Sequence, residues 1–196
     1  MADWAADRRL LRVIGGQLRE AARRAGDHLA CRRGCFGCCV GPFPITSLDA
    51  VRLRRGLGRL AARRRERIVE RAREAWRWMR EGYPGDAATG LLSDPDAVFD
   101  ARWRMIPCPA LDVETGGCEL YAYRPVACRT YGPLVRIEGR DLPACPLNYR
   151  EAPEREREGM RVEIDPKGWE RESEGETVVA WALMGEAATA GRKGGS

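Results

Sequence analysis

Eight cysteines carry most of the chemistry open to this chain. Four fall within nine residues, as Cys31-Arg-Arg-Gly-Cys35-Phe-Gly-Cys38-Cys39. The other four, Cys108, Cys118, Cys128 and Cys145, are spread along a turn-rich stretch. Thiolates are preferred ligands of zinc and of iron–sulfur clusters. Short spacings let a tight loop offer several thiolates to one ion, and Gly34 and Gly37 give that loop the backbone freedom to wrap. The adjacent pair Cys38-Cys39 fits one tetrahedral ion poorly, because neighbouring side chains diverge; two metals or a bridging cluster would use both more naturally. Core filling by cysteine as a small hydrophobe accounts for one or two of the eight, but not for four in a Gly-rich loop. Most of the eight are therefore expected to be metal ligands, all eight being the candidate set, with zinc, iron or an iron–sulfur cluster as the cofactor.

That chemistry needs reduced thiols. Met-Ala-Asp-Trp leads to Arg8-Arg9 with no apolar run behind it, so no signal peptide is expected. The longest apolar run, Val178 to Met184, falls far short of the ~20 residues that span a bilayer. A cytoplasmic protein with no membrane partner is expected, and in that compartment clustered cysteines point to metal or redox chemistry rather than disulfides.

The spacing Cys31-x3-Cys35-x2-Cys38 also matches that of radical S-adenosylmethionine enzymes. Those enzymes resemble a partial β/α barrel, and no alternation of strands and helices follows residue 45 here. A closer likeness lies elsewhere. Cys35-Phe-Gly-Cys38-Cys39 with Cys31 ahead of it is followed by Cys108-Pro109-Ala110-Leu111, Cys118-Glu119-Leu120-Tyr121, Arg124-Pro125, Cys128-Arg129 with Tyr131, and Cys145-Pro146. In residue type and order this resembles the YkgJ family of cysteine-cluster proteins, also called the CxxCxxCC domain, over about residues 31–146. The first spacing is three residues where the family's name implies two, and Ala110 stands where an aromatic is common. Neither departure removes a thiolate. The resemblance implies zinc or iron chelation and no settled reaction. A flagellin lysine methylase is said to share the domain, but no nucleotide-binding glycine motif supports methyl transfer here.

Arg124, Arg129 and Tyr131 flank Cys128. A four-thiolate zinc site carries a charge of about −2, which a neighbouring arginine would offset or hydrogen-bond, so these three are expected beside the metal. His28, the only histidine, reads as a solvent-exposed residue near a helix end. One histidine allows no Ser–His–Asp set, and the carboxylates form no recognisable acid/base pair, so catalytic residues stay unassigned.

The elements that must position these cysteines read as mainly helical. Leu11, Ile14, Leu18, Ala21, Ala22 and Ala25 make an apolar stripe over 3–25, interrupted at Gly15-Gly16 and stopped at Gly26. Thr46 with Asp49 marks a helix start by reciprocal capping, with the helix running to about Leu60. Ile68, Ala72, Ala75, Trp76 and Met79 share a face over 61–81, where Arg67–Glu70, Arg71–Glu74, Glu74–Arg77 and Arg77–Glu81 lie at pairing distance and Arg63–Arg65 face outward. Residues 83–97 read as a loop, and Asp94-Pro95 opens a short helix holding Val98, Phe99 and Trp103. A hairpin is expected over 106–123 around Glu114-Thr115-Gly116-Gly117, with Tyr121 and Tyr123 alternating on a strand. Pro125 suits the first position of a short helix at 124–131. Residues 150–158 read as a linker or exposed helix, 160–164 as a strand, 174–190 as a terminal helix and the last six residues as disordered.

The expected fold is mainly α with a small β-hairpin, a compact cysteine-rich domain organised around a metal site. Its parts are an N-terminal helix (1–30), a metal-binding domain (31–149) and a charged linker with terminal helix and tail (150–196). The loop at 31–39 and the segment at 108–145 should meet around the metal. Residues 1–100 hold 20 arginines against 13 acidic residues; this reads as solvated helix faces, with no sequence-specific nucleic-acid binding expected. The leading function is metal chelation with a structural or iron–sulfur role. The alternatives are an iron–sulfur enzyme of redox or lysine methyl-transfer type, and a zinc-shaped module for an undetermined protein partner.

Overall fold

A computed structural model describes residues 4–164 and 175–184. The expected end of the terminal helix and the tail from Gly191 lie outside them. The chain runs α1 (Trp4–Ala25), β1 (Pro44–Thr46), α2 (Ser47–Leu57), α3 (Ala62–Met79), β2 (Gly85–Asp86), β3 (Leu91–Leu92), β4 (Leu111–Asp112) and β5 (Gly117–Cys118). It continues through α4 (Val126–Thr130), β6 (Val135–Ile137), β7 (Arg140–Asp141), α5 (Glu154–Met160), β8 (Val162–Ile164), β9 (Glu176–Val178) and α6 (Val179–Leu183). About 49% of the described residues are helical. The strands are very short but more numerous than one hairpin, forming three two-stranded sheets and one three-stranded sheet among the described residues.

The chain divides into two compact units. Unit 1 comprises Met1–Cys38 and Val126–Glu172; unit 2 comprises Cys39–Pro125 and Ser173–Ser196.

Unit 1 is built on α1. Ile14, Ala21 and Ala25 are buried, as their helical spacing requires. Ala22, expected in the stripe, is exposed: one alanine at the edge of the stripe adds too little apolar surface to turn the helix. α1 continues through Gly15-Gly16 and stops at Gly26, whose φ of +50° suits glycine. β6 pairs with β7 antiparallel and with β8 parallel, and Ile14, Ala21, Val126, Val135, Val162 and Ile164 form one buried cluster.

Unit 2 packs α2, α3 and α6 around a larger core that includes Leu53, Ile68, Ala72, Trp76, Met79, Val98, Trp103 and Leu183. The face of α3 is the one its spacing predicts. Thr46 caps α2 by accepting the Asp49 N–H at 3.1 Å. The Asp49 carboxylate pairs with the Arg52 guanidinium inside the core. The ion pairs of α3 differ from expectation. Glu70 pairs with Arg73 and Arg77, while Arg64 and Arg71 reach Glu119 at 2.9 and 2.5 Å. A half-buried carboxylate on a neighbouring element competes better for a guanidinium than an exposed i,i+3 partner does.

The C-terminal segment opens as β9, paired with β1, and only then turns into the short α6; β-branched Thr177 and Val178 favour an extended start. Tyr121–Tyr123 is a 3-10 turn rather than a strand. Tyr121 still points outward at 62% exposure, and Tyr123 packs against the core.

Candidate metal centre

The unit boundary falls inside the cysteine cluster, between Cys38 and Cys39. Unit 1 holds Cys31, Cys35, Cys38, Cys128 and Cys145, and unit 2 holds Cys39, Cys108 and Cys118. Among the described residues no disulfide is formed.

In unit 1 the loop after α1 is held by Asn148. This buried side chain accepts the Ala30 N–H at 2.8 Å and donates to the Gly132 carbonyl at 2.7 Å and to Cys31 Sγ at 3.5 Å. Cys145 is tied to the same place: its N–H donates to the Gly132 carbonyl at 3.3 Å, and its own carbonyl accepts the Asn148 N–H at 2.9 Å. Gly132 is a glycine for two reasons. Its φ is +123°, and a Cβ there would stand 3.3 Å from Cys31 Sγ. Cys31 and Cys145, 114 positions apart in sequence, are thus brought to one corner. The corner continues into Tyr149, a buried residue at φ +57°. Its N–H donates to the His28 carbonyl at 2.8 Å, and its hydroxyl accepts the Leu134 N–H at 3.1 Å.

Tyr131 stands beside this corner. Its hydroxyl pKa is raised by partial burial and then by the thiolates of Cys145, Cys38 and Cys31. Three of the five cysteines of unit 1 therefore act on one phenol. Cys128 and Arg129 lie half-buried on α4, which Tyr131 extends by donating its N–H to the Ala127 carbonyl at 3.1 Å. Cys35 is exposed, closing a turn in which its N–H donates to the Arg32 carbonyl at 3.0 Å. His28 ends a 3-10 turn and is half-buried, not exposed as expected, and its carbonyl accepts the Tyr149 N–H.

In unit 2 the hairpin β4–β5 sets Cys118 opposite Leu111, and the Leu111 N–H donates to the Cys108 carbonyl at 2.9 Å. The Cys108 N–H donates to the Cys39 carbonyl at 2.7 Å. The turn is the one expected, with Gly116 at φ +65° and Asp112 accepting from the Thr115 hydroxyl at 2.7 Å. Cys108 and Cys118 pack against the apolar core, so as thiols they also serve as small hydrophobes. Burial, and then the neighbouring Cys118, pushes the Cys108 thiol up to about 12, against the pull of backbone N–H groups and Arg71. Arg124 lies with its guanidinium 3.8 Å from the centre of the Tyr121 ring.

The donor set suits a thiophilic ion, since soft sulfur ligands select zinc, copper(I) and iron–sulfur clusters over hard cations. Among the described residues, no three Cys, His, Asp or Glu side chains already converge to hold an ion. What the fold supplies is proximity: Cys31 with Cys145 in unit 1, and Cys39 with Cys108 and Cys118 in unit 2. Two residues are absent from the site expected from sequence: Asn148, which holds the unit 1 arrangement, and Glu119, which ties the position after Cys118 to Arg64 and Arg71 of α3. Glu119 follows Cys118 directly, which is the signal that could have flagged it. Asn148 carries none, because a lone asparagine among turn residues looks like any other.

No described helix is long and apolar enough to cross a membrane. No curated protein and no solved structure matches the chain. The family model CxxCxxCC, described as "Putative zinc- or iron-chelating domain", matches residues 30–146, a span that holds all eight cysteines. Given that span, the chain belongs to the CxxCxxCC family.

Proposed function

We propose that this protein chelates zinc or iron through its eight cysteines, with Cys31, Cys35, Cys38, Cys128 and Cys145 serving unit 1 and Cys39, Cys108 and Cys118 serving unit 2. The observation that carries this reading is that, within each unit, a cysteine of the 31–39 loop is tied to one from the 108–145 segment. Cys31 and Cys145 meet through Gly132 and Asn148; Cys39 and Cys108 meet by a direct backbone hydrogen bond. Random core filling would not pair the two sequence groups twice. The odd count in unit 1 and the three thiols of unit 2 suit an iron–sulfur cluster as well as zinc, because clusters accept varied thiolate arrangements. Arg129 and Tyr131 in unit 1, and Arg124 in unit 2, are placed by this reading beside the thiolates, where they offset or hydrogen-bond negative sulfur. A reducing compartment keeps eight thiols free for ligation, so this reading goes with a cytoplasmic protein. Binding energy at such a site is also folding energy, so the role is at least a clamp.

The test is elemental analysis and visible spectroscopy of anaerobically purified full chain. Stoichiometric colourless zinc supports a structural ion, and brown protein with matched iron and sulfide supports a cluster. Protein that purifies without stoichiometric transition metal overturns the reading.

A further inference from the structure

Beside the cysteine loop, unit 1 has a groove of about 370 Å³ bordered by Arg32, Arg33, Cys35 and Arg150, with Ala30 and Leu147 supplying apolar wall. We infer that this groove binds a small polyanion, and that Arg32, Arg33 and Arg150 are its recognition residues. The inference goes beyond metal chelation and does not rest on it.

Three observations carry it. First, the border holds three guanidiniums and no carboxylate. Elsewhere in this arginine-rich chain guanidiniums are commonly paired: Arg23 and Arg24 with Glu20, Arg136 with Asp141, Arg161 with Glu158. Among the described residues, neither Arg32 nor Arg33 has a hydrogen bond or ion pair through its guanidinium. Second, the backbone fixes where two of them start. The Arg32–Cys35 turn, closed at 3.0 Å and passing through Gly34 at φ +86°, puts Arg32 and Arg33 at one bend. Arg150 is anchored by its Nε, which donates to the Pro146 carbonyl at 3.1 Å. Third, the volume lies in the range of small-molecule clefts, about 300–1,000 Å³, whereas a solvated charged face needs no concavity.

Planar guanidiniums bind phosphate and carboxylate oxygens in pairs. The ligand class is therefore a compact molecule with several anionic oxygens, as in a pyrophosphate or a tricarboxylate. Leu147 and Ala30 would pack against the carbon skeleton where the ligand is a carboxylate.

Calorimetric titration of the full chain at low salt tests this, with inorganic pyrophosphate and citrate as separate probes. Saturable one-to-one binding of either is expected, and the tighter of the two identifies the source of the anionic oxygens. Arg33→Ala and Arg150→Ala should each weaken binding about tenfold, equivalent to about 1.4 kcal/mol, with unchanged metal content and Tm. Arg33→Lys should recover part of the loss. Arg73→Ala, on α3 of unit 2, removes the same charge elsewhere and should leave binding unchanged. The inference is overturned if neither probe saturates, or if Arg73→Ala weakens binding as much as Arg33→Ala. It is also overturned if a single-stranded oligonucleotide binds more tightly than either probe in proportion to its length, since the arginines would then form a backbone-tracking surface. Loss of metal with unchanged anion binding would count against the chelation reading alone.

Discussion

Asn148 donates from Nδ2 to Sγ of Cys31 at 3.5 Å, across 117 positions of sequence. The same amide holds the Ala30 N–H and the Gly132 carbonyl. One buried side chain thus sets the cysteine loop against the segment that brings in Cys145. Hydrogen bonds of this kind hold a sulfur ligand in a fixed orientation.

Asn148→Ala should therefore lower both stability and metal retention. Leaving buried partners unsatisfied costs about 1–3 kcal/mol, read as a lower urea midpoint with unchanged slope. Metal release to a competing chelator should be faster than in the parent protein. A variant with parent-like midpoint and release rate would show that Asn148 only fills space.

Cysteine pairs separate coupling within a unit from independence across the boundary. Cys38→Ser and Cys128→Ser, both in unit 1, should each reduce metal content and Tm, and the double variant should add little, as coupled residues do. Cys118→Ser, in unit 2, should add its full loss to that of Cys38→Ser. A single eight-cysteine centre would instead make every pair non-additive.

Gly90 should not tolerate a side chain. Its φ is +70°, and a Cβ would lie 2.3 Å from the Trp181 ring. That ring packs against Trp76 at 5.1 Å, so it has little room to retreat. Gly90→Ala should cost about 2–4 kcal/mol from overpacking and left-handed strain, measured by chemical denaturation. A loss below about 0.5 kcal/mol, the size of an ordinary surface effect, would show that the aromatic cluster repacks freely.

Tyr83 makes stability fall at high pH. Its hydroxyl is buried and donates to the Gly90 carbonyl at 2.7 Å, and burial raises it from 10.0 to about 12. The raised value means the fold holds the proton more tightly than the open chain. This contribution is complete below pH 10.0 and is lost as pH rises towards about 12. Cys108 acts with the same sign from 9.0 upward in protein without metal. Tyr83→Phe should flatten the Tm profile across the upper window relative to the parent. Parallel profiles would assign the loss to other groups.

Much of the molecule was legible in local pattern. The buried face of α3, the cap at Thr46, the stop at Gly26 and the turn at Gly116 each follow from interactions within a few residues, which sequence spacing records directly. The cysteines were legible as a chemical class for the same reason: eight thiols in this order have few other uses. The tertiary structure decided what spacing cannot encode. It divided adjacent Cys38 and Cys39 between two units, joined Cys31 to Cys145 through Asn148, and drew Arg71 away from its expected helix partner Glu74 to Glu119. It also made β9 extended where helix was expected, because a strand forms when its backbone finds a partner, here β1. Each of these outcomes depends on groups far apart in the chain, and their energies exist only once folding has brought them together.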